Sequence, residues 1–325
     1  MNEAVLNSTH KVEVTRISLG PHPNADTLSI ARIFSGYYCV VKTSDWQDGQ
    51  LGAYIPPDSV VDATRPEFAF LAGHTRIRVK RLRGVISMGL LMPVPISARE
   101  GDDLAEYFGV KHYDPPLFMS TGGEAESPPS GYHPVFDVDS LRRYAHVFNQ
   151  GEPVFISEKI HGASARYVWH DNRMYCGSRT EWKRQDEKNL WWQALQATPV
   201  IEEFCSLHPE ITIYAEVYGQ VQDLRYGAQK NEVKIAVFDL LCGPDWLPVR
   251  EARTIGECLP FVPIIAEAIP FDLTSILTFA EGPSLILGAN CVREGIVVKP
   301  LRERIHPEIG RVCCKVVGNG YLERA

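Results

Sequence analysis

Short hydrophobic runs separated by turn residues characterise the first 110 positions of the chain. Residues 12–19, 29–33 and 37–42 are rich in β-branched and aromatic side chains, and segments containing Pro, Asn, Asp or Gly lie between them. Runs of this kind predict strands. Many short strands within one segment predict a small closed or partly closed β-barrel.

A basic run follows these strands. Residues 76–83 read Arg-Ile-Arg-Val-Lys-Arg-Leu-Arg, so cationic and apolar side chains alternate until Arg81 breaks the phase. Side chains alternate between the two faces of a strand. A strand here would therefore place Arg76, Arg78 and Lys80 on one face.

The pattern changes after residue 134. Leu141, Tyr144, Ala145 and Phe148 follow helical spacing, and further helical stretches occur at 190–195 and 202–207. Strands are predicted at 154–158, 163–169, 174–178, 211–217, 234–240, 295–299 and 311–317. The second part therefore reads as a mixed domain of helices and antiparallel strands, and the fold class of the whole chain as α+β.

The boundary between the two parts is marked by proline and glycine. Residues 114–134 contain two Pro-Pro pairs and a Gly-Gly pair, a composition that supports neither a helix nor a central strand. We therefore predict a first domain at residues 1–116, a linker at 117–131 and a second domain at 132–325.

Composition narrows the class of protein. The 325 residues carry 33 Lys and Arg against 40 Asp and Glu, a net charge of −7, and 45% are hydrophobic. These values are typical of a globular protein, and no run of about 18 apolar residues predicts a membrane span. Because no such span is present, no membrane partner is expected. Eight scattered cysteines without a Cys-x-x-Cys pair favour a reduced, cytoplasmic setting. Taken alone, the acidic balance argues against nucleic acid as a partner.

Several common catalytic motifs are absent from the sequence. No phosphate-binding loop of the type Gly-x-x-x-x-Gly-Lys-Ser/Thr occurs, and neither Gly-x-Gly-x-x-Gly nor Gly-x-Ser-x-Gly is present. P-loop kinases, Rossmann oxidoreductases and serine hydrolases are therefore disfavoured.

Polar residues instead interrupt six apolar strands of the second domain. The segments are 155–162, 175–180, 213–219, 234–240, 294–300 and 311–317. A polar side chain within a buried strand costs desolvation unless a partner or ligand compensates it. Any single segment could be a strand with an exposed ion pair, but six of them in one domain indicate a binding site.

The order of these segments resembles the covalent nucleotidyltransferase superfamily, which comprises ATP-dependent DNA ligases, RNA ligases and mRNA capping enzymes. The resemblance covers residues 159–315. Members commonly show Lys-x-Asp-Gly, and this chain has Lys159-Ile160-His161-Gly162. The histidine is similar to one branch of RNA ligases, and Ser164 stands where DNA ligases and capping enzymes usually have arginine. Both departures point towards RNA ligase.

The resemblance implies a nucleotide site. Lys159 would take AMP through a phosphoramidate bond, Glu158 would offer its backbone carbonyl to adenine, Glu216 would bind the ribose and Phe238 would stack on the base. The residues implied to bind ATP or AMP are Glu158, Lys159, Ile160, Gly162, Ser164, Arg179, Glu216, Phe238, Lys299 and Lys315.

The resemblance also implies phosphate and metal contacts. Arg179 would bind the AMP phosphate or an incoming 5′-phosphate, and Glu294 would hold Mg²⁺ or Mn²⁺ through water. Some relatives have two lysines in the last motif, whereas Cys313 occupies the first position here, which leaves Lys315. The implied catalytic residues are Lys159, His161, Arg179, Lys299 and Lys315.

The nucleophile must lose a proton before it can attack. A free lysine is protonated near pH 7, and nearby cations favour the neutral amine. We therefore expect Arg179, Lys299, Lys315 and a metal to lower the pKa of Lys159.

The first domain has a resemblance of its own. Residues 20–28 look like the opening of OB-type tRNA-binding modules, and residues 49–61 and 76–91 resemble the OB domain of Deinococcus-type RNA ligases. OB barrels bind nucleic acid with cationic grooves and stacking aromatics. The implied nucleic-acid contacts are Arg76, Arg78, Lys80, Arg81 and Arg83, with Tyr37, Tyr38 and Trp46 for stacking. Alternatively, the basic run is a solvated strand face and the aromatics belong to the core.

Two further pairs have simpler interpretations. Trp191-Trp192 is expected to pack a helix, and Cys313-Cys314 to lie in a buried strand.

Together these features predict an OB-like barrel followed by a nucleotidyltransferase domain in a monomeric, ATP-dependent RNA ligase. Its expected substrate is a nick in a duplex whose 3′-hydroxyl strand is RNA, which implies RNA repair. One alternative is another covalent nucleotidyltransferase, a DNA ligase or a capping enzyme. The other is a non-enzymatic RNA-binding protein whose catalytic domain has decayed.

Overall fold

The computed structural model describes residues 10–113, 123–135 and 137–324, and these residues form two compact units. The first unit contains residues 10–113, 139–146 and 322–324, and the second contains 123–135, 137–138 and 147–321. Residues 117–122 of the predicted linker lie outside the described residues.

The first unit consists mainly of short antiparallel strands. They are β1 Glu13–Arg16, β2 Ser18–Pro21, β3 Leu28–Ile33, β4 Tyr37–Lys42, β5 Leu51–Ile55, β6 Ser59–Val60, β7 Val79–Leu82, β8 Val85–Met88, β9 Leu90–Met92 and β10 Lys111–His112, with helix α1 at Ala105–Phe108 and 3₁₀ turns at Thr43–Asp45 and Pro66–Leu71. The strands pair in the orders β1–β5–β9, β2–β3–β4, β7–β8 and β6–β10. The prediction of a strand-rich first domain is confirmed.

Alternate residues of these strands fill the core of the first unit. Ala31, Ile33 and Cys39 are buried with Tyr54, while the residues between them on the strands are more exposed. This alternation is what allows one face of a short strand to be read from the sequence. The predicted strand at 12–19 is divided into β1 and β2 at the buried Ile17.

The rest of the chain contains longer strands and most of the helices. The elements are β11 Ala125–Glu126, β12 Asp139–Ser140, α2 Leu141–Tyr144, β13 Pro153–Lys159, β14 Ala163–His170, β15 Arg173–Gly177, β16 Trp182–Lys183, α3 Leu190–Ala197, α4 Val200–Leu207, β17 Ile211–Gly219, β18 Val233–Cys242, β19 Asp245–Trp246, α5 Val249–Ile255, β20 Ile264–Pro270, α6 Leu273–Thr278, β21 Gly295–Pro300, β22 Ile305–His306, β23 Gly310–Arg311, β24 Cys314–Val317 and α7 Asn319–Arg324. Of these, β12, α2 and the 3₁₀ turn that begins at Ala145 group with the first unit.

Two antiparallel sheets dominate the second unit. The larger runs in the order β11–β16–β15–β14–β17–β18–β19, and the smaller includes β24–β21–β13–β20. The predicted α+β class is therefore confirmed. One predicted strand, 311–317, is divided into β23 and β24 by Val312 and Cys313.

Helices α3 and α4 cover one face of the larger sheet. Trp191 and Trp192 are 4% and 5% exposed and belong to the core between helices and sheet. Their indole N–H groups donate to the backbone carbonyls of Ser164 and Lys183, which satisfies the polar end of each ring. The packing role predicted for this pair is confirmed, as is the burial of Cys313 and Cys314.

None of the helices in the described parts of the chain is long and apolar enough to cross a membrane.

Candidate active site

The uncovered face of the larger sheet carries the polar residues. Ala165 and Ala215 point into the core beneath α3 and α4. Successive residues of a strand face opposite sides, so Ser164 and Glu216, which pair directly across β14 and β17, lie on the other face. These polar residues thus lie on the side of the sheet that α3 and α4 do not cover.

A β-bulge places Phe238 on β18. Tyr214 pairs with Asp239 and Ala215 pairs with Val237, so Phe238 is left without a partner on β17. Bulges of this kind redirect a side chain and often lie beside functional sites. Phe238 is half-buried, in contrast to the buried Val237 and Asp239 on either side of it.

The smaller sheet aligns three lysines. Phe155 pairs with Lys299, Val297 pairs with Lys315, and Lys159 pairs with Gly295. Successive side chains of β13, β21 and β24 point to opposite faces of the sheet. With this register, the three lysines share one face: Lys159, Lys299 and Lys315. Their sequence separation gives no hint of this alignment without the strand register.

Two glycines allow the strands to come close at the nucleophile. A Cβ at Gly162 would lie 2.1 Å from the carbonyl oxygen of Val217, and one at Gly295 would lie 2.0 Å from that of Val316. Neither distance is compatible with a side chain. At Gly162 the close approach is made to the neighbouring strand β17.

The amine of Lys159 forms an ion pair with Glu294. Lys159 Nζ donates to both carboxylate oxygens of Glu294, at 2.8 and 2.7 Å, and Glu294 is 7% exposed. Although burial favours a neutral carboxyl, attraction to Lys159 and a hydrogen bond from His161 lower the pKa of Glu294 to about 2. Glu294 is therefore ionised throughout the physiological range.

The pKa of Lys159 moves in the opposite direction to the prediction. Burial alone would lower it, but the charges of Glu294 and Glu216 outweigh burial and raise the pKa above its usual value. The expected lowering is wrong for the nucleotide-free protein because these two carboxylates are the strongest charged influences on the amine. Among the expected cations, Lys299 and Lys315 each lie beside an aspartate.

Glu216 holds its proton more strongly than Glu294 does. Burial, together with the charge of Glu294, raises the pKa of Glu216 to about 7 in spite of its attraction to Lys159. Two carboxyl groups beside one lysine therefore differ in protonation near neutral pH. Divergent pKa values of this kind are typical of functional sites.

His161 supports the loop that follows the nucleophile. Its ring lies 3.0 Å from Asp223 through Nε2 and 3.6 Å from Glu294 through Nδ1, and its backbone N–H donates to the hydroxyl of Tyr226 at 2.7 Å. Ile160 is buried beside it. These contacts hold the main chain on the C-terminal side of Lys159.

Glu158 is buried on the other face of β13. Its carboxylate accepts a hydrogen bond from the backbone N–H of Leu285 at 2.7 Å, and burial raises its pKa. The side chain therefore points away from the face that carries Lys159, as the alternation of the strand requires.

Lys299 is held within a buried ion-pair network. Its amine donates to Asp239 at 2.6 Å and to the carbonyl of Phe238 at 3.0 Å, and Arg311 contacts both oxygens of Asp239 at 2.8 and 2.9 Å. Attraction to Arg311 and Lys299 overcomes the effect of burial and lowers the pKa of Asp239. The direct partner of Lys299 is thus an aspartate that sequence reasoning did not single out.

A signal for Asp239 was present in the sequence. It follows Phe238 inside an otherwise apolar strand, where an ionised side chain requires a compensating partner. The identity of the partner could not be read from the sequence because Lys299 and Arg311 lie 60 and 72 positions away.

Arg179 and Lys315 meet at a second aspartate. Arg179 Nη1 lies 3.3 Å from one oxygen of Asp137, and Lys315 Nζ lies 4.0 Å from the other. Asp137 also contributes to the attraction that raises the pKa of Lys159. The structure therefore brings two of the predicted phosphate-binding cations together, at the same carboxylate.

Two residues of the basic run of the first unit form ion pairs. Arg76 pairs with Asp58 at 2.6 Å and lies over the ring of Tyr113, and Arg81 pairs with Glu323 at 2.7 Å. Lys80 and the other two basic residues of the run, Arg78 and Arg83, are exposed. The expected strand is shorter than the run, since β7 begins at Val79 and turns through Arg83 and Gly84, both with positive φ.

The aromatic residues of the first unit divide between two roles. Tyr37 and Trp46 pack against the core around Tyr54, which is the simpler of the two interpretations considered for them. Tyr38 is half-buried on β4.

The donor set suits a metal that is held mainly by water and phosphate oxygens. Within the described ranges, no group of three or more His, Cys, Asp or Glu side chains converges on one point. Mg²⁺ typically uses one or two carboxylates together with waters and substrate phosphates. The ionised carboxylate of Glu294, beside the predicted nucleophile, fits such a site.

Comparisons with known proteins agree with this geometry. A family model described as RNA ligase matches residues 152–317, and an OB-fold domain model matches residues 11–94. The second match confirms the OB barrel expected for the first unit. No curated protein was found to match the sequence.

Solved structures of Naegleria gruberi RNA ligase are similar to this chain over nearly its whole length. An arginine-to-alanine variant with ATP and Mn has a TM-score of 0.83 at 23% identity, covering 97% of this chain and 98% of that one. A glutamate-to-alanine variant with AMP and Mn has a TM-score of 0.81 at 23% identity, covering 97% and 99%. The form with PPi has a TM-score of 0.81 at 24% identity, covering 97% and 98%. At this level of identity the similarity establishes a shared fold.

Proposed function

Since this chain belongs to the RNA ligase family and is a ligase with an OB domain, we propose that it joins RNA ends with ATP through an AMP–Lys159 intermediate. The observation that carries the proposal is the amine of Lys159 bound to Glu294. It lies on the sheet face that also presents Lys315, and Glu216 is close enough to raise its pKa.

The first step is attack of the Lys159 amine on the α-phosphorus of ATP. A nitrogen–phosphorus bond forms, the bond to the bridging oxygen breaks, and pyrophosphate leaves with the electron pair. The amine must first give up a proton to solvent, and the ion pair with Glu294 opposes this. A divalent cation, when bound, would neutralise the charges of Glu294 and the phosphate oxygens. With the charge of Glu294 offset in this way, the burial of Lys159 would favour the neutral nucleophile against the remaining attraction of Glu216.

The remaining residues around Lys159 orient the nucleotide. We assign the ribose contact to Glu216 and the face of adenine to Phe238, and we assign the adenine amino group to the backbone carbonyl of Glu158. Ile160, Gly162 and Ser164 shape the wall of the site. Lys299 acts through Asp239 and the carbonyl of Phe238, so it holds the stacking residue in place as well as adding positive charge.

Arg179 and Lys315 take the phosphates of the nucleotide and of the RNA 5′ end. AMP passes from Lys159 to a 5′-phosphate, and a 3′-hydroxyl then displaces AMP to form the phosphodiester. By resemblance to its branch, the substrate is a nick whose 3′-hydroxyl strand is RNA, which implies a role in RNA repair. We propose that the protein is cytoplasmic and acts as a monomer. The exposed residues of the basic run, Arg78, Lys80, Arg81 and Arg83, are the strongest candidates for contact with the nucleic acid in the OB domain.

Labelled nucleotides test the proposal and separate it from a capping enzyme. Incubation with α-labelled ATP and Mn²⁺ is expected to label the protein, whereas α-labelled GTP is not, because the proposed site orients adenine. The labelled protein is measured after denaturing electrophoresis. Labelling by GTP alone would support a capping enzyme, and labelling by neither nucleotide would support an RNA-binding protein with a decayed site.

A further inference from the structure

We propose that Asp137 occupies the place of a phosphate between Arg179 and Lys315 in the nucleotide-free protein and gives up this place when a phosphate group binds. This inference rests on the proposed function, because that function assigns phosphates to the two cations. Asp137 thereby sets the affinity and the release of nucleotide and pyrophosphate.

The geometry is that of one anion shared by two cations. The two oxygens of Asp137 face different partners, Arg179 at 3.3 Å and Lys315 at 4.0 Å. Arg179 follows the end of β15 in the larger sheet, whereas Lys315 lies on β24 in the smaller sheet. A carboxylate that bridges the two sheets in this way presents a negative charge and two oxygens to the two cations, as a phosphate group would.

His133 and Pro134, shortly before Asp137, are fixed to the face of the larger sheet opposite α3 and α4. Tyr214 donates its hydroxyl to the carbonyl of Pro134 at 2.8 Å, and Arg166 donates to the carbonyl of His133 at 2.8 Å. His133 Nδ1 also lies 2.8 Å from the hydroxyl of Thr212. The anchoring side chains share the face that carries Glu216, so the segment enters the site a few residues before Asp137.

Arg166 links this segment to the main chain beside Arg179. Besides its bond to His133, it donates to the carbonyl of Ser178 at 3.0 Å, next to Arg179, and its guanidinium lies over the ring of Trp182. One buried side chain therefore bonds to the main chain four residues before Asp137 and one residue before Arg179. Each residue of the ion pair between Asp137 and Arg179 therefore follows a stretch of main chain that Arg166 holds within the second unit.

The pair is weak enough for a phosphate to displace it. The side chains of Asp137 and Arg179 are 39% and 55% exposed, and an exposed ion pair changes an equilibrium by only about two- to fivefold. A phosphate group has more negative charge than a carboxylate and can contact both cations at once. Asp137 is thus a moderate competitor that relieves the repulsion between Arg179 and Lys315 until the substrate arrives.

Calorimetric titration of the full chain with inorganic pyrophosphate tests the proposal. Asp137→Asn is expected to bind pyrophosphate about three- to tenfold more tightly than the wild type, because the competing carboxylate is lost from two weak pairs. Asp137→Glu keeps the charge and is expected to bind like the wild type. Asp245→Asn, which removes an exposed carboxylate on β19, provides the matched control and is expected to change nothing.

Equal affinity of Asp137→Asn and wild type would overturn the proposal, as would weaker binding by Asp137→Asn or the absence of pyrophosphate binding in every variant. The titration requires no covalent step. Failure of the protein to form an AMP adduct would therefore count against the proposed function, whereas the pyrophosphate affinities decide the role of Asp137.

Discussion

Replacing Lys159 by alanine is expected to abolish the transfer of labelled AMP from α-labelled ATP to the protein. The alanine side chain offers no nucleophile, and no second amine in the described site is held against Glu294 as Lys159 is. The expected effect is complete loss of the labelled band, since a covalent intermediate cannot form without its attacking atom. Retention of full labelling by this variant would show that the nucleophile lies elsewhere.

Two further variants separate chemistry from folding. Lys159→Arg keeps a positive charge beside Glu294 but cannot be deprotonated, so it is expected to fold normally and to remain unlabelled. Lys234→Ala removes a half-buried lysine of β18 that pairs with Glu232, and this variant is expected to take up labelled AMP like the wild type. Sealing of a nick that already carries AMP on its 5′ end should survive in Lys159→Ala, because only the first step needs the amine.

Replacing Asp239 by alanine is expected to lower the free energy of unfolding by about 3–5 kcal/mol, the usual cost of removing one partner from a buried ion pair. The change leaves Lys299 without its carboxylate and removes two hydrogen bonds from Arg311. Lys299 is 3% exposed and Arg311 is 8% exposed, so water cannot replace the lost partner. Urea denaturation at pH 7 measures the loss.

The matched control for this variant is Asp245→Ala, which removes an exposed aspartate from the neighbouring strand β19. It is expected to change the free energy of unfolding by no more than about 0.5 kcal/mol. A loss below about 1 kcal/mol in Asp239→Ala would contradict the account of the buried network. Because the pKa of Asp239 is lowered in the folded protein, its contribution is present above the unfolded pKa and is lost on acidification.

The elements of the fold were largely readable from the sequence because most strands are amphipathic or fully apolar. β3, β4, β13, β14 and β17 lie at or within a few residues of their predicted positions. The strand expected at 311–317 was wrong in one respect, since Val312 and Cys313 interrupt it. The polar interruptions of these strands led to the RNA ligase family, which the family model confirms.

The state of the site could not be read in the same way, because it depends on pairings across the fold. Sequence order suggested that cations would surround Lys159, whereas the structure pairs it with Glu294 and gives Lys299 to Asp239. The role of Asp137 could not be read from the sequence for a related reason. It lies just after the proline-rich stretch 114–134 and before the first predicted helix, and only its tertiary contacts bring it to Arg179.

The net charge of −7 was a poor guide to the partner. It averages over the surface, whereas an RNA ligase needs positive charge only along the path of the phosphates. In the second unit the cations assigned to that path are Arg179, Lys299 and Lys315. Each of them lies beside an aspartate, which cancels its contribution to the net charge. We therefore expect binding of nucleic acid to weaken with rising salt.

The most direct test of the central claim is a sealing assay on a nicked duplex in which each strand is made in turn of RNA or DNA. With ATP and Mn²⁺, the account predicts a sealed product when the 3′-hydroxyl strand is RNA, and much less product when that strand ends in DNA. No sealed product from any combination would contradict the assignment as an RNA ligase. Equal sealing of an all-DNA nick would contradict the proposed preference for RNA.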